Sequence, residues 1–237
     1  MKPVSIVRHA ASEGPGYFAT FLEARSIPWQ LVAIDAGDPV PKSAARASGL
    51  VLMGGPMSAN DDLPWIGPVL ELICDAVRRD APVLGHCLGA QLMAKAFGAT
   101  IGATLAKEIG WGRVDVADNA VAREWFGELQ SFEAFHWHGE TFTIPPGATR
   151  VLGNALCANQ GFALGKHFGL QCHVEMTAAL VRSWCELGHD EIEASASSPG
   201  VQRPEQIQRA LERRIEALRE PADAVYERWT GQLSRGS

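Results

Sequence analysis

The sequence predicts an α/β fold: a mostly parallel sheet with helices on both faces, added antiparallel strands and a C-terminal helical extension. Three observations carry this. Short apolar runs alternate with segments of helical spacing. The runs are short and mostly apolar, as in strands buried on both faces. Most end in clusters of Gly, Pro and Asp that turn the chain.

Val4 to Val7 reads as the first strand and Phe18 to Ala24 as a helix. Leu31 to Ile34 is a second strand, stopped by Asp35-Ala36-Gly37-Asp38-Pro39. Leu50 to Met53 is a third, broken by Gly54-Gly55-Pro56. Between Trp65 and Arg79, Ile66, Val69, Leu70, Ile73 and Val77 recur at helical spacing. Pro82-Val83-Leu84 is a fourth strand running into Gly85-His86-Cys87-Leu88-Gly89, and Leu88, Leu92, Met93 and Ala96 then line one helix face. Lys107 to Gln171 is strand-rich, with Val114 to Val116, Ala134 to Trp137, Val151 to Leu152, Phe162 to Leu164 and Phe168 to Gln171 as strands. These read as the rest of the sheet plus antiparallel additions. After Met176 the pattern is helical, interrupted by a loop over Ala194 to Gly200. Ile207, Leu211, Ile215 and Leu218 form one apolar stripe, and Ala222, Val225 and Trp229 another after Pro221. The expected organisation is a domain over residues 1–180 and a helical extension over 181–237 packed on it.

Composition narrows the function classes. Lys and Arg total 21 against 27 Asp and Glu, a formal net charge of −6, which disfavours a nucleic-acid surface. No apolar stretch reaches the roughly 18 residues of a membrane span, and the N-terminus lacks the apolar core of a signal peptide. Five cysteines, an odd number without a C-x-x-C pair, suggest a reducing cytoplasm and no cysteine-based zinc site.

The sharpest chemical signal is Gly85-His86-Cys87-Leu88-Gly89-Ala90-Gln91. A strand ends at Leu84 and a helix starts near Leu88, so Cys87 falls on the tight turn between them. Flanking glycines let the backbone bend and pack closely. The sulfur is then held at the carboxyl end of the sheet, where ligands of such folds bind, and at a helix N-terminus. Free N–H groups there stabilise a thiolate and can stabilise an oxyanion. A thiol also needs a base. His173 ends the strand Leu170-Gln171-Cys172, and Glu175, two residues on, falls on the same side of an extended segment. Cys172 points to the opposite face and reads as packing.

The elbow matches the G-x-C-x-G-x-Q pattern of the class I, triad-type glutamine amidotransferases. Gly169-Leu170-Gln171-Cys172-His173-Val174-Glu175 resembles their G-x-Q-x-H-x-E motif, and Leu52-Met53-Gly54-Gly55-Pro56-Met57-Ser58 their glycine loop. The resemblance covers about residues 3–180, is nearest to the glutaminase domain of GMP synthetase, and implies a flavodoxin-like sheet. It also implies that Cys87 attacks the glutamine amide to give a thioester, that His173 passes protons, and that Glu175 orients His173. The backbone N–H groups of Gly55 and Leu88 map to an oxyanion hole. Gln91 maps to a substrate-holding residue, its alternative being a solvated helix position. Phe135-His136-Trp137-His138-Gly139-Glu140-Thr141 resembles the segment that wraps the amino-acid end of glutamine, with backbone groups of Trp137 and Gly139 as the contacts. His136, His138 and Glu140 could suggest a metal by composition, but thiol-based amide cleavage needs none, and neither metal nor cofactor is expected. Val174 departs from a position that is often proline.

No phosphate-binding loop or synthetase module accompanies the motifs. Expected partners are therefore glutamine or a γ-glutamyl compound and a separate ammonia-accepting enzyme, with no nucleic acid and no membrane. A stand-alone γ-glutamyl peptidase or hydrolase is the alternative. A cysteine peptidase or deglycase on a related elbow, and a non-catalytic regulatory subunit, remain further readings.

Overall fold

The computed structural model describes residues 1–233. One sheet contains β1 (Val4–Arg8), β2 (Trp29–Ala33), β3 (Gly49–Leu52), β4 (Val83–His86), β5 (Ile101–Val116), β6 (Ser131–Phe142), β7 (Thr149–Gly153), β8 (Gly161–Leu164), β9 (His167–Leu170) and β10 (Gly200–Val201). The helices are α1 (Gly16–Ala24), α2 (Ile66–Arg78), α3 (Leu88–Ala96), α4 (Ala120–Phe126), α5 (Ala178–Leu187), α6 (His189–Ala194), α7 (Pro204–Gln208) and α8 (Leu211–Thr230). The order is β10-β5-β7-β8-β9-β4-β3-β1-β2, with β6 paired to β5. From β2 to β9 neighbours are parallel, and from β9 through β8 and β7 to β5 and β6 they are antiparallel.

The parallel half follows from its residues. Along β3, Leu50 and Leu52 pack with α2 and α3, while Val51 packs with α1 and α8 on the other face. Both faces are covered, so both parities of the strand are apolar. The carboxyl ends of β3, β4 and β9 consequently sit side by side. They launch the Gly54–Gly55 loop, the Cys87 turn and the segment bearing His173.

Four elements differ from the sequence reading; one is α4, a seven-residue helix inside the segment read as strands. β5 runs from Ile101, not Val114, because a register shift between Ala103 and Glu108 and a left-handed Gly110 (φ +115°) erase the alternation that marks a strand. Part of the expected loop is β10, which pairs in parallel with Glu108 and Ile109. The two stripes flanking Pro221 are one helix, α8. Ile207 instead belongs to the separate α7, cut off where Ala210 takes φ +53°. An interior proline costs a helix about 3 kcal/mol. Burial of Leu218, Ala222, Val225, Tyr226 and Trp229 along the same face outweighs that cost.

Trp229 is fully buried and edge-on to Phe18 of α1. Trp229→Ala is expected to destabilise the protein by about 3–5 kcal/mol in urea unfolding. A loss below about 1 kcal/mol would mean that α8 is not part of the cooperative core.

Candidate active site

The site is built on a backbone contact. A Cβ on Gly89 would lie 2.2 Å from the Leu52 carbonyl oxygen, and one on Gly85 would lie 2.6 Å from the Gly89 carbonyl carbon and the Ala90 nitrogen. Glycine at both positions lets α3 start directly against β3 and β4. Between them Cys87 adopts φ +49°, ψ −111°, a region that costs a non-glycine residue about 1–3 kcal/mol. Its N–H donates to the Leu170 carbonyl at 2.7 Å, and its carbonyl accepts from the Gln91 N–H at 3.0 Å. The turn is thus tied to β9 on one side and to its own helix on the other.

His173 and Glu175 stand behind the sulfur. His173 Nδ1 and Glu175 Oε1 are 2.6 Å apart, and both residues are buried. His173 Nε2 has no hydrogen-bond partner and is the nitrogen left to interact with the Cys87 thiol. Burial pushes the imidazole pKa down, but the Glu175 carboxylate and the Cys87 sulfur outweigh it, and the net shift is well upward. Burial likewise opposes ionisation of Glu175, yet the His173 charge, with His86 as a polar neighbour, holds it below the ordinary carboxylate range. The arrangement keeps a proton on an imidazole next to a thiol.

Cys87 opens into a pocket of about 510 Å³, and Gly55, Leu88, Gln91, Trp137 and Gly139 all line it. A Cβ on Gly55 would strike Leu88 Cδ2 at 2.7 Å, so a side chain there would have to displace the tip of the buried Leu88. Gln91 is buried, not solvated: its amide nitrogen donates to the Glu140 carbonyl at 3.3 Å and to Gln171 Oε1 at 3.1 Å. The Trp137 carbonyl lies 3.9 Å from Cys87 Sγ, while its indole N–H donates to Glu191 at 2.8 Å. The Gly139 carbonyl accepts from the Thr104 hydroxyl at 3.1 Å. Cys172 is fully buried, which pushes its thiol well up in pKa.

The histidine-rich segment divides in an unexpected way. Glu140 accepts from Ser58 at 2.8 Å, and its place beside His136 and His138 is taken by Glu108. The Gln160 amide nitrogen sits among the three, 2.8 Å from Glu108 Oε2 and 3.4 Å from a ring nitrogen of each histidine. Asn154 donates to the other Glu108 oxygen at 2.7 Å. This buried polar knot joins β5 to β6 beneath the pocket.

Four groups near the chemistry escaped sequence reasoning. Gln171 donates from its side-chain amide to Cys87 Sγ at 3.5 Å. His86 Nε2 lies 3.9 Å from Glu175 Oε2 and is hydrogen-bonded at 3.1 Å to the Tyr226 hydroxyl of α8. Trp184 packs edge-on against the His173 ring, with centroids 5.0 Å apart. Glu13 lines the pocket from the loop after β1. Gln171 and His86 occupy quoted motifs at positions given no role, so a signal existed for them. Trp184 and Tyr226 come from the tail, where nothing in the spacing pointed to the site.

A cysteine on a strand-to-helix elbow, backed by a buried imidazole–carboxylate pair at the carboxyl edge of a parallel sheet, is the arrangement of a cysteine-hydrolase type of site on an α/β fold. The glutamine amidotransferase class-I family profile matches residues 19–182, more than half of the chain. The protein therefore belongs to the class-I glutamine amidotransferases. The crystal structure of a glutamine amidotransferase from Methylobacillus flagellatus superposes with a TM-score of 0.97 at 46% identity, covering 100% of this chain and 97% of that one. Gamma-glutamyl peptidase 3 of Arabidopsis thaliana is 28% identical over 65% of this chain and 66% of its own length. A glutamine-hydrolysing GMP synthase of Aeropyrum pernix is 30% identical over 62% of this chain, but the match spans only 28% of that longer protein.

Removing the Tyr226 hydroxyl leaves His86 Nε2 without its partner in a fully buried site. Tyr226→Phe is expected to cost about 1–3 kcal/mol in chemical denaturation, and no change would remove α8 from the support of the pair. Acid sensitivity follows from three buried imidazoles. Desolvation lowers His9, His136 and His167 to about 4 each, whereas an unfolded imidazole titrates near 6.5. Below about pH 6.5 the unfolded chain takes up protons that the folded protein refuses, so stability falls as pH drops towards 4. The urea midpoint measured from pH 7 to pH 4 should decline throughout this window, and a flat profile would contradict neutral burial.

Proposed function

We propose that this protein hydrolyses the side-chain amide of glutamine, or a related γ-glutamyl amide, through a thioester on Cys87. The observation that carries the reading is the Cys87 thiol on its elbow, facing an imidazole whose other nitrogen is held by Glu175. The sulfur adds to the amide carbonyl carbon. The oxygen that becomes negative is met by the backbone N–H groups of Leu88, at the start of α3, and Gly55. As the C–N bond breaks, the nitrogen takes the His173 proton and leaves as ammonia or an amine. His173 then removes a proton from water, which attacks the thioester and returns the free thiol and glutamate. Glu175 holds the ring with Nε2 toward the sulfur throughout. Gln91 and the backbone of Trp137 and Gly139 hold the amino-acid end of the substrate.

The relatives divide between a domain of a longer synthase and a γ-glutamyl peptidase, so the fate of the released amine is a separate question. A pocket of about 510 Å³ falls in the range that takes drug-sized ligands, which favours γ-glutamyl amides larger than glutamine as a second substrate group. Delivery of ammonia to a separate acceptor enzyme is the other outcome. All five cysteines are unpaired, which supports a reducing, cytoplasmic setting, and no helix among the described residues is long and apolar enough to cross a membrane.

A diazoketone analogue of glutamine should add one equivalent of mass to Cys87, and Cys87→Ala should abolish both labelling and turnover. His173→Gln should lower kcat by about 10²–10⁴-fold, the range for a positioned acid–base group. Labelling at another residue, or turnover surviving in Cys87→Ala, overturns the assignment.

A further inference from the structure

We infer that Glu13 forms a subsite for the leaving amine, so that the pocket favours γ-glutamyl amides whose departing amine carries a second, positive charge. The inference rests on the thioester reading above.

Glu13 follows β1 in a tight turn, its N–H donating to the Ala10 carbonyl at 3.0 Å. The carbonyl of the preceding Ser12 accepts from the Trp184 indole at 2.8 Å, and Trp184 is the ring set edge-on against His173. The loop is thereby pinned to α5 beside the base. Gly54 lies between the two groups: a methyl group built there would meet Glu13 Oε2 at 2.5 Å and His173 Cε1 at 3.4 Å. Carboxylate and imidazole are neighbours across one glycine, and Glu13 shares the pocket wall with Cys87.

The other carboxylates nearby are engaged. Glu175 is bonded to His173, Glu140 to Ser58, and Glu191 to Lys107 and the Trp137 indole. Among the described residues no hydrogen bond or ion pair engages the Glu13 side chain. Desolvation raises it to about 7, with the His173 charge pulling it down and Glu175 pushing it up. An uncompensated acid in a partly dry wall is costly unless a ligand supplies the counter-charge. The nitrogen that accepts the His173 proton must depart on the His173 side, which is the Glu13 side. A cationic group on that amine meets a partner there. A carboxylate on it meets a like charge or forces Glu13 to take up a proton. In a low-dielectric pocket either difference is large.

Three γ-glutamyl amides of similar length, made with ethylenediamine, propylamine and β-alanine, place a positive, neutral or negative group at the same distance from the scissile nitrogen. The wild-type kcat/KM is expected to fall in that order, with at least about tenfold between the first and the last. Glu13→Gln should bring the three values together, and Glu13→Lys should reverse the order. Because each protein is compared with itself across substrates, loss of folded material does not mimic the effect, and the neutral propylamide reports that the site is assembled. Identical charge preference in wild type and Glu13→Gln, with Cys87 still acylated by the propylamide, overturns the subsite and leaves the thioester reading standing. Failure of all three amides to acylate Cys87 while glutamine still does so overturns the subsite alone, and failure of glutamine and all three amides to acylate Cys87 overturns both.

Discussion

The contact of Gly89 with the Leu52 carbonyl is the constraint on which the site depends. Because nothing larger than hydrogen fits there, α3 begins within backbone contact of the sheet, and the one residue left to span strand and helix is forced into positive φ. That strain is held by bonds on both sides: the Cys87 N–H to β9 and its carbonyl to Gln91. The same geometry aims the sulfur away from the sheet, into the pocket, and puts the first free N–H groups of α3 beneath it. A looser junction would relieve Cys87 and lose both the aim of the sulfur and the anion site at once.

Burying a carboxylate is the second constraint. Glu175 is almost wholly out of water, and Oε2 has no hydrogen-bond partner of its own. Its charge is tolerated because His173 lies on one side and His86 on the other. His86 is itself buried, and desolvation keeps its pKa low, so it serves as a polar neighbour more than as a counter-ion. Its tie to the Tyr226 hydroxyl carries the chain of support from the pair into α8. A helix far away in sequence therefore sets the polarity around the His173–Glu175 pair.

What could be read in the residues follows physical lines. β3 is an uninterrupted apolar run ending in a glycine- and proline-rich turn, and β1 and β4 are mostly apolar, as parallel strands covered on both faces are. β5 was legible only at its last three residues, because the register shift and Gly110 destroy its period. Cys87, His173 and Glu175 were legible because their local spacing carries the geometry: an elbow needs its glycines nearby, and an extended segment brings residues two apart to one side. Gln91 was identified, but its burial was hidden, since only the fold reveals that β6 and Gln171 close over it. Glu108 could not be linked to His136 and His138, because the pairing that joins them is a strand register and not a motif.

The family match and the pocket do not have the same limits. Cys87, His173 and Glu175, the proposed nucleophile, base and carboxylate, fall within residues 19–182, and so do Gly55 and Leu88, whose N–H groups are the proposed oxyanion donors. Glu13 lies before that span, and Trp184, Leu187 and Glu191, which also line the pocket, lie after it. Chemistry that any γ-glutamyl amide requires is concentrated in the shared part of the chain. In the proposed reading, the group that meets the variable part of a substrate, the departing amine, is Glu13 of the first loop. The two loci are coupled mechanically, because Trp184 both packs on His173 and fixes the Ser12 carbonyl. In the same reading, selection of the leaving group and orientation of the base share one side chain, and divergence in the tail can change specificity only as far as the imidazole keeps its seat.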